Sequence, residues 1–144
     1  MKVEPIALNA EVRALLVDAG LPVSDLDEAR EVQLFATRQY GELVGVVGLE
    51  MYGSDGMLRS LVVTGTARAE GVGQALVAHA EAFALRQGIT ELFLLTISAE
   101  RFFAKLGYVV VPRSTAPAAI AQTEQFMGLC PSSSSFMHKR LQAP

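Results

Sequence analysis

The sequence predicts an α/β (α+β) fold: a mixed, mostly antiparallel central sheet flanked by helices, with one parallel β-α-β unit. Three observations carry that expectation. Apolar runs separated by turn residues fill the stretch from 32 to 63, as VQLFATR (32–38), LVGVVGLEMY (43–52) and MLRSLVV (57–63), with QYGE and GSDG between them. That is the pattern of an antiparallel meander. From Gly71 the period becomes helical, with Val72, Leu76, Ala80 and Phe83 on one stripe. ITELFLLTI (89–97) then returns as the near-continuous apolar run of a buried strand, and the intervening helix makes it parallel to LRSLVV (58–63).

The remaining elements follow in order. A first helix is expected over Ala10–Ala19, capped by Asn9, with Val12, Leu15, Leu16 and Ala19 on its apolar stripe and Gly20-Leu21-Pro22 ending it. An acidic stretch, SDLDEAR, leads to the strands. The long helix stops at Gly88. AERFFAKL (99–106) predicts a short helix ending at Gly107, followed by a strand at YVVV (108–111), a helix over Pro117–Met127 and a last strand near SSFMHKRL. No internal repeat is present.

The chain has 144 residues and a mass of 15.4 kDa, which fits a single domain over 1–144 able to support a core without staples. At 51% apolar and 19% charged it is too hydrophobic for disorder. A net charge of −3 implies no basic face for nucleic acid, and HKR (138–140) reads as a solvated strand end. No run reaches the ~18 apolar residues of a membrane span, and the N-terminus lacks the apolar core of a leader, so a cytoplasmic location is the expectation. One cysteine, Cys130, excludes an intramolecular disulfide and a cysteine-based zinc site, and no metal is expected. It reads as a small buried hydrophobe. A homodimer is compatible with the sequence, which does not fix the oligomeric state.

The stretch RAEGVG (68–73) carries the chemistry. Glycines between a strand and a helix let backbone N–H groups converge on an anion, with the helix dipole behind them. A nucleoside-triphosphate loop would need Lys-Ser or Lys-Thr after its last glycine, but Gly73 is followed by Gln74 and Ala75. A dinucleotide fingerprint would need Gly or Ala where the chain has Leu76. Arg68-Ala69-Glu70-Gly71-Val72-Gly73, after LRSLVV and before GQALVAHAEAFALRQG, resembles the pyrophosphate loop of the GNAT-superfamily N-acetyltransferases. FFAKLGY (102–108) is similar to that superfamily's Phe-Tyr-x-x-x-Gly-Phe helix end, and the order of elements matches along nearly the whole chain. PAAIAQTEQFMGLCP (117–131) and LFLLTISAERFFAKLGY look like its arsenic-resistance branch. Trivalent arsenic wants several thiolates, and one cysteine cannot chelate it, so such a substrate would be held through its amine and carboxylate.

The resemblance implies acetyl-CoA as co-substrate and direct transfer of its acetyl group to a small, amino-acid-like amine. It implies that Leu61, Val62 and Val63 form the main-chain wall of the thioester slot, and that Arg68, Gly71, Val72, Gly73, Gln74 and Ala75 hold the pyrophosphate. Thr96 and Ser98 are candidate hydrogen-bonding partners of the cofactor, or simply strand-end caps. Phe103 stands where the superfamily commonly has a tyrosine near the departing sulfur, and it cannot donate a proton. That substitution keeps a second class open, a non-catalytic acyl-CoA sensor. Tyr108 reads as a packing residue and His79 as a helix-surface residue. Glu50, closing an apolar strand, is the candidate proton acceptor. Arg59, a cation inside MLRSLVV, needs a carboxylate partner or water, and is the candidate clamp for a substrate carboxylate.

Overall fold

The computed structural model describes residues 1–26, 32–65, 67, 71–129 and 133–142. Among the described residues seven strands form one sheet in the order β1-β2-β3-β4-β5-β7-β6. They are β1 (Val3–Ile6), β2 (Val32–Gln39), β3 (Glu42–Tyr52), β4 (Asp55–Val63), β5 (Glu91–Thr96), β6 (Val109–Val110) and β7 (Ser135–Arg140). Every pairing is antiparallel except β4 with β5. The helices are α1 (Ala10–Asp18), α2 (Val72–Arg86), α3 (Glu100–Lys105) and α4 (Ala118–Ala121). The mixed sheet with one parallel pair agrees with the sequence expectation.

Alternation along the strands divides the core between the two faces of the sheet. One face carries Phe35, Val47, Leu58, Leu92, Leu94 and Met137 under α2 and α3. The other carries Leu34, Ala36 and Val46 under α1, and Met57, Phe93 and Phe136 under α4. Asn9 caps α1 by accepting from the Val12 N–H at 2.8 Å, and Val12 and Leu16 form the buried stripe. The β2–β3 turn is Tyr40-Gly41, both residues at positive φ, which is the two-residue turn whose twist matches a hairpin.

Three elements differ from the expectation. β1 is a short edge strand containing Pro5, and a four-residue stretch beginning VEP carries too little pattern to be read as a strand. The single helix expected over Pro117–Met127 is two pieces, α4 and a π-helical turn over Gln125–Leu129. The break falls at Thr123, whose hydroxyl donates to the Ile120 carbonyl and accepts the Phe126 N–H, replacing main-chain partners. YVVV shortens to Val109–Val110, because Tyr108 is buried against Phe103 instead. Among the described residues no helix is long and apolar enough to cross a membrane.

Candidate active site

The parallel pairing of β4 with β5 spans only Asp55↔Glu91, Gly56↔Leu92 and Met57↔Phe93. Beyond Met57 the strands diverge. The cause lies on the other edge of β4, where Val47 of β3 faces two residues, Ser60 and Leu61. This is a β-bulge, and Ser60 holds it at φ 57, a left-handed conformation costly to a residue with a Cβ. A bulge bends its strand, and here it turns β4 away from β5.

The divergence opens a cleft of about 470 Å³. Its walls include Leu58, Ser60 and Leu61 from β4, Leu94 to Thr96 from β5, Phe103 from α3, and Gly20 to Pro22 from the end of α1. Leu61 thus lines the slot, while Val62 packs with the α1 cluster and Val63 with the α2 cluster. Thr96 and Ser98 both line it. Thr96 Oγ1 also accepts the Ala99 N–H at 3.0 Å, so it does cap the chain entering α3.

At the head of α2, Gly71 occupies φ +75 and supplies no side-chain cap. The amides of Val72, Gly73 and Gln74 open the helix without an intrahelical acceptor, whereas the Ala75 N–H already donates to the Gly71 carbonyl at 3.1 Å. The side chain of Val72 is buried in the core, leaving only its main chain for a ligand. A Cβ on Gly73 would lie 3.1 Å from the Phe102 ring, so a side chain there would crowd the contact of α2 with α3. Amides without intrahelical acceptors at the head of a helix fit a pyrophosphate. Arg68 and Cys130 lie outside the described residues. Among the described residues no group of three potential ligands is placed to hold a metal ion.

Arg59 borders the cleft, but all five of its N–H donors have acceptors. Nε donates to Ser60 Oγ at 3.0 Å. NH1 donates to Asp25 Oδ2 and to Glu50 Oε2, the latter at 2.9 Å. NH2 donates to Asp25 Oδ1 at 2.7 Å and to the Pro22 carbonyl at 3.2 Å. The side chain is 0% exposed. Burial works against its charge, yet Asp25 and Glu50 more than offset that and hold its pKa above the ordinary value. A substrate carboxylate therefore meets a guanidinium whose donors are taken.

Glu50 lies outside the cleft lining, accepting from Arg59, from Gln125 Nε2 at 2.9 Å and from the Tyr52 hydroxyl. Burial, then Glu50 itself, pushes the Tyr52 phenol well above its usual pKa, so it stays a donor. His79 packs edge-on against Phe35 and Tyr108 donates to Glu81 at 2.8 Å, both away from the cleft. Phe103 is buried between Phe102 and Tyr108 with one side on the cleft.

Asp25, Ser60, Gln125 and Ser134 were not singled out from the sequence. The demand of Arg59 for a carboxylate was visible, but Asp25, Asp27 and Glu28 all stand in the same acidic stretch. Local pattern cannot choose among them.

This geometry agrees with what comparison with known proteins finds. A protein of Chlorobaculum tepidum named as an uncharacterized N-acetyltransferase is 31% identical over 87 residues, 60% of this chain and 56% of that protein, so the match spans little more than half of that curated relative. The N-acetylglutamate synthase of Neisseria gonorrhoeae, crystallised with coenzyme A and N-acetyl-glutamate, superposes with a TM-score of 0.78 at 22% identity, covering 99% of this chain and 36% of that one. A Mycobacterium tuberculosis protein crystallised with CoA gives a TM-score of 0.78 at 21% identity, covering 99% and 100% of the two chains. These structures show the shared fold. The family model described as Acetyltransferase (GNAT) family matches residues 10–108, and the chain belongs to that family.

Proposed function

We infer that the protein is an acetyl-CoA-dependent N-acetyltransferase acting on the primary amine of a small molecule. The observation that carries this is the cleft opened where β4 leaves β5, in a chain that goes on from β4 to a glycine turn at the head of α2. The turn's amides suit a pyrophosphate, and the open edge of β4 suits an extended amide-bearing arm. The CoA complexes of relatives with this fold support the reading.

In this reading the amine loses its ammonium proton to water and attacks the thioester carbonyl carbon. The C–S bond breaks, the sulfur keeps the electron pair, and the nitrogen sheds its second proton as the amide forms. The β4 main chain polarises the carbonyl. Phe103 shields the sulfur and donates nothing. A thiol with a pKa of about 8.5 departs as thiolate near neutral pH without a dedicated acid. Glu50, held by three donors, acts on the acceptor through its charge and by fixing Arg59.

Two measurements test this. Calorimetry should show 1:1 binding of acetyl-CoA, and a thiol-release assay over an amine panel should show turnover. Binding without turnover of any amine would favour the sensor reading that Phe103 keeps open. No binding would end both. The arsenic-resistance branch rests on the two segments quoted from the sequence, and arsinic and phosphinic amino-acid analogues belong in the panel to test it.

A further inference from the structure

This inference rests on the proposed transferase reading and gives Arg59 a task within it. The head of α2, where a pyrophosphate would sit, lies at the Val63 end of β4: a Cβ on Gly73 would stand 3.6 Å from the Val63 Cγ2. A strand rises about 3.3 Å per residue, so Arg59 and Ser60 stand roughly 10 Å back along β4 from that end. An arm running from the turn into the cleft would carry its thioester toward this far end, where an acceptor has to meet it.

Two distant parts of the chain wall the cleft there: Ser60 and Leu61 at the β4 bulge, and Gly20 to Pro22 at the α1 exit. One side chain joins them. Arg59 Nε donates to Ser60 Oγ at 3.0 Å and NH2 donates to the Pro22 carbonyl at 3.2 Å, while the Asp25 carboxylate accepts from both NH1 and NH2. Glu50 Oε2 accepts from NH1 at 2.9 Å and from Gln125 Nε2 at 2.9 Å, which fixes the guanidinium from the β3 side. The planar fork passes from one partner to the next with little freedom. The Arg59 side chain is 0% exposed, so drawing Asp25 away from it would leave a buried cation short of a carboxylate.

Hydrogen bonds within the α1 exit itself, from the Leu21 N–H to the Leu16 carbonyl and from the Leu26 N–H to the Val23 carbonyl, fix its shape but not its distance from β4. Leu21 and Leu26 pack in the apolar cluster under α1. That packing is non-directional, whereas the Asp25–Arg59 fork specifies a distance and an angle.

We propose that Arg59 and Asp25 are positioning residues for the acceptor: the pair sets how far the α1 exit stands from the β4 bulge, and so the width of the cleft where the amine approaches the thioester. Arg59 acts through the walls it holds. This replaces the clamp on a substrate carboxylate that the sequence suggests, a task that needs donors which Arg59 has already given to Asp25, Pro22, Ser60 and Glu50.

Two variants of the full chain test it. Asp25→Asn weakens the tie, and Asp25→Glu keeps the ion pair but inserts one methylene between the α1 exit and the guanidinium. Hydrogen exchange without ligand should quicken at least about tenfold over residues 19–26 in Asp25→Asn, the effect of a lost charge-assisted hydrogen bond, and stay at the wild-type rate in α2 and β5. Thiol release is followed with the amine of the panel that the wild type uses best. A wall shifted by about 1 Å can cost on the order of 10²-fold, so both variants should lower kcat/KM for the amine at least about tenfold, with acetyl-CoA affinity within about twofold of wild type. Wild-type amine kinetics in Asp25→Glu overturn the inference, since a role of charge alone survives that change. Faster exchange in α2 and β5, or acetyl-CoA affinity falling with amine kcat/KM, also overturns it, by showing general loosening. In each of these cases the transferase reading stands. A wild type that binds acetyl-CoA and turns over no amine overturns that reading and this inference with it. If thermal melting shows that Asp25→Asn does not fold, Asp25→Glu decides.

Discussion

Gly48 on β3 lies across the ladder from Arg59 on β4, and a Cβ at Gly48 would stand 3.0 Å from the Arg59 Cγ and 3.1 Å from the Leu34 Cδ2. The glycine is the space through which the arginine stem reaches its two carboxylates. Gly48→Ala should therefore destabilise the protein by about 1 to 3 kcal/mol, the usual cost of overpacking, where a glycine-to-alanine change in a strand is ordinarily favourable. Urea unfolding at constant m-value reads this directly, and an unchanged midpoint would mean the stem has room to move.

Asp25 and Arg59 join the segment after α1 to the middle of the sheet, 34 residues apart. Removing either partner leaves the other buried and unbalanced, so Asp25→Ala and Arg59→Ala should each cost about 3 to 5 kcal/mol. The double variant should cost clearly less than the two together. A double-mutant cycle that closes additively would show that the pair contributes no coupling.

Gly73 packs against the Phe102 ring, and this gives a way to separate packing from ligand contact. Gly73→Ala should lower both stability and acetyl-CoA affinity. Adding Phe102→Leu should recover the stability by giving the new Cβ room. Recovery of affinity along with stability would place the glycine's role wholly in packing, whereas persistent weak binding would place it at the cofactor.

Tyr108 gives a dependence on alkaline pH. Burial, and then the Glu81 carboxylate that its hydroxyl bonds, raise its pKa above the ordinary 10.0. The folded state thus holds this proton more tightly than the unfolded chain. The resulting stability is fully present below about pH 10 and is lost as pH rises toward the folded value. Denaturation between pH 8 and 11 should show wild-type stability falling through this range, with a shallower fall in Tyr108→Phe. Parallel curves would remove Tyr108 as the cause.

Phe103 borders the cleft where a hydroxyl could assist the leaving sulfur. Phe103→Tyr should raise kcat, within the roughly 10² to 10⁴ range open to general acid catalysis, while leaving acetyl-CoA affinity nearly unchanged. A lower kcat with normal folding would put the ring somewhere other than beside the sulfur.

The parts of this molecule set by local pattern were readable in the sequence. The meander, the amphipathic stripe of α2 and the buried run of β5 each follow from periodicity, and Asn9 and Gly88 mark helix ends by their own chemistry. What escaped depends on distant partners. The acceptors that occupy the Arg59 donors come from Asp25, Glu50, Ser60 and Pro22, which span from the α1 exit to β4, and no window of sequence contains that closure. The break after α4 turns on one hydroxyl, Thr123, in a segment whose composition suits a continuous helix. Ser134 shows itself only by a buried Oγ without a partner among the described residues.

The three-residue pairing of β4 with β5 also bears on the mechanics expected of the sheet. From Leu58 to Val62 one edge of a central strand has no β5 neighbour, so the two halves of the sheet are joined there only through Asp55–Met57 and Glu91–Phe93. Twisting one half against the other changes the width of the gap while breaking few bonds. A molecule threaded along that edge would act as a splint, joining the halves and stiffening the whole. In the proposed reading the seam that would admit the cofactor is the gap in the ladder itself, and a bound arm would stand where β5 leaves the β4 main chain unpaired.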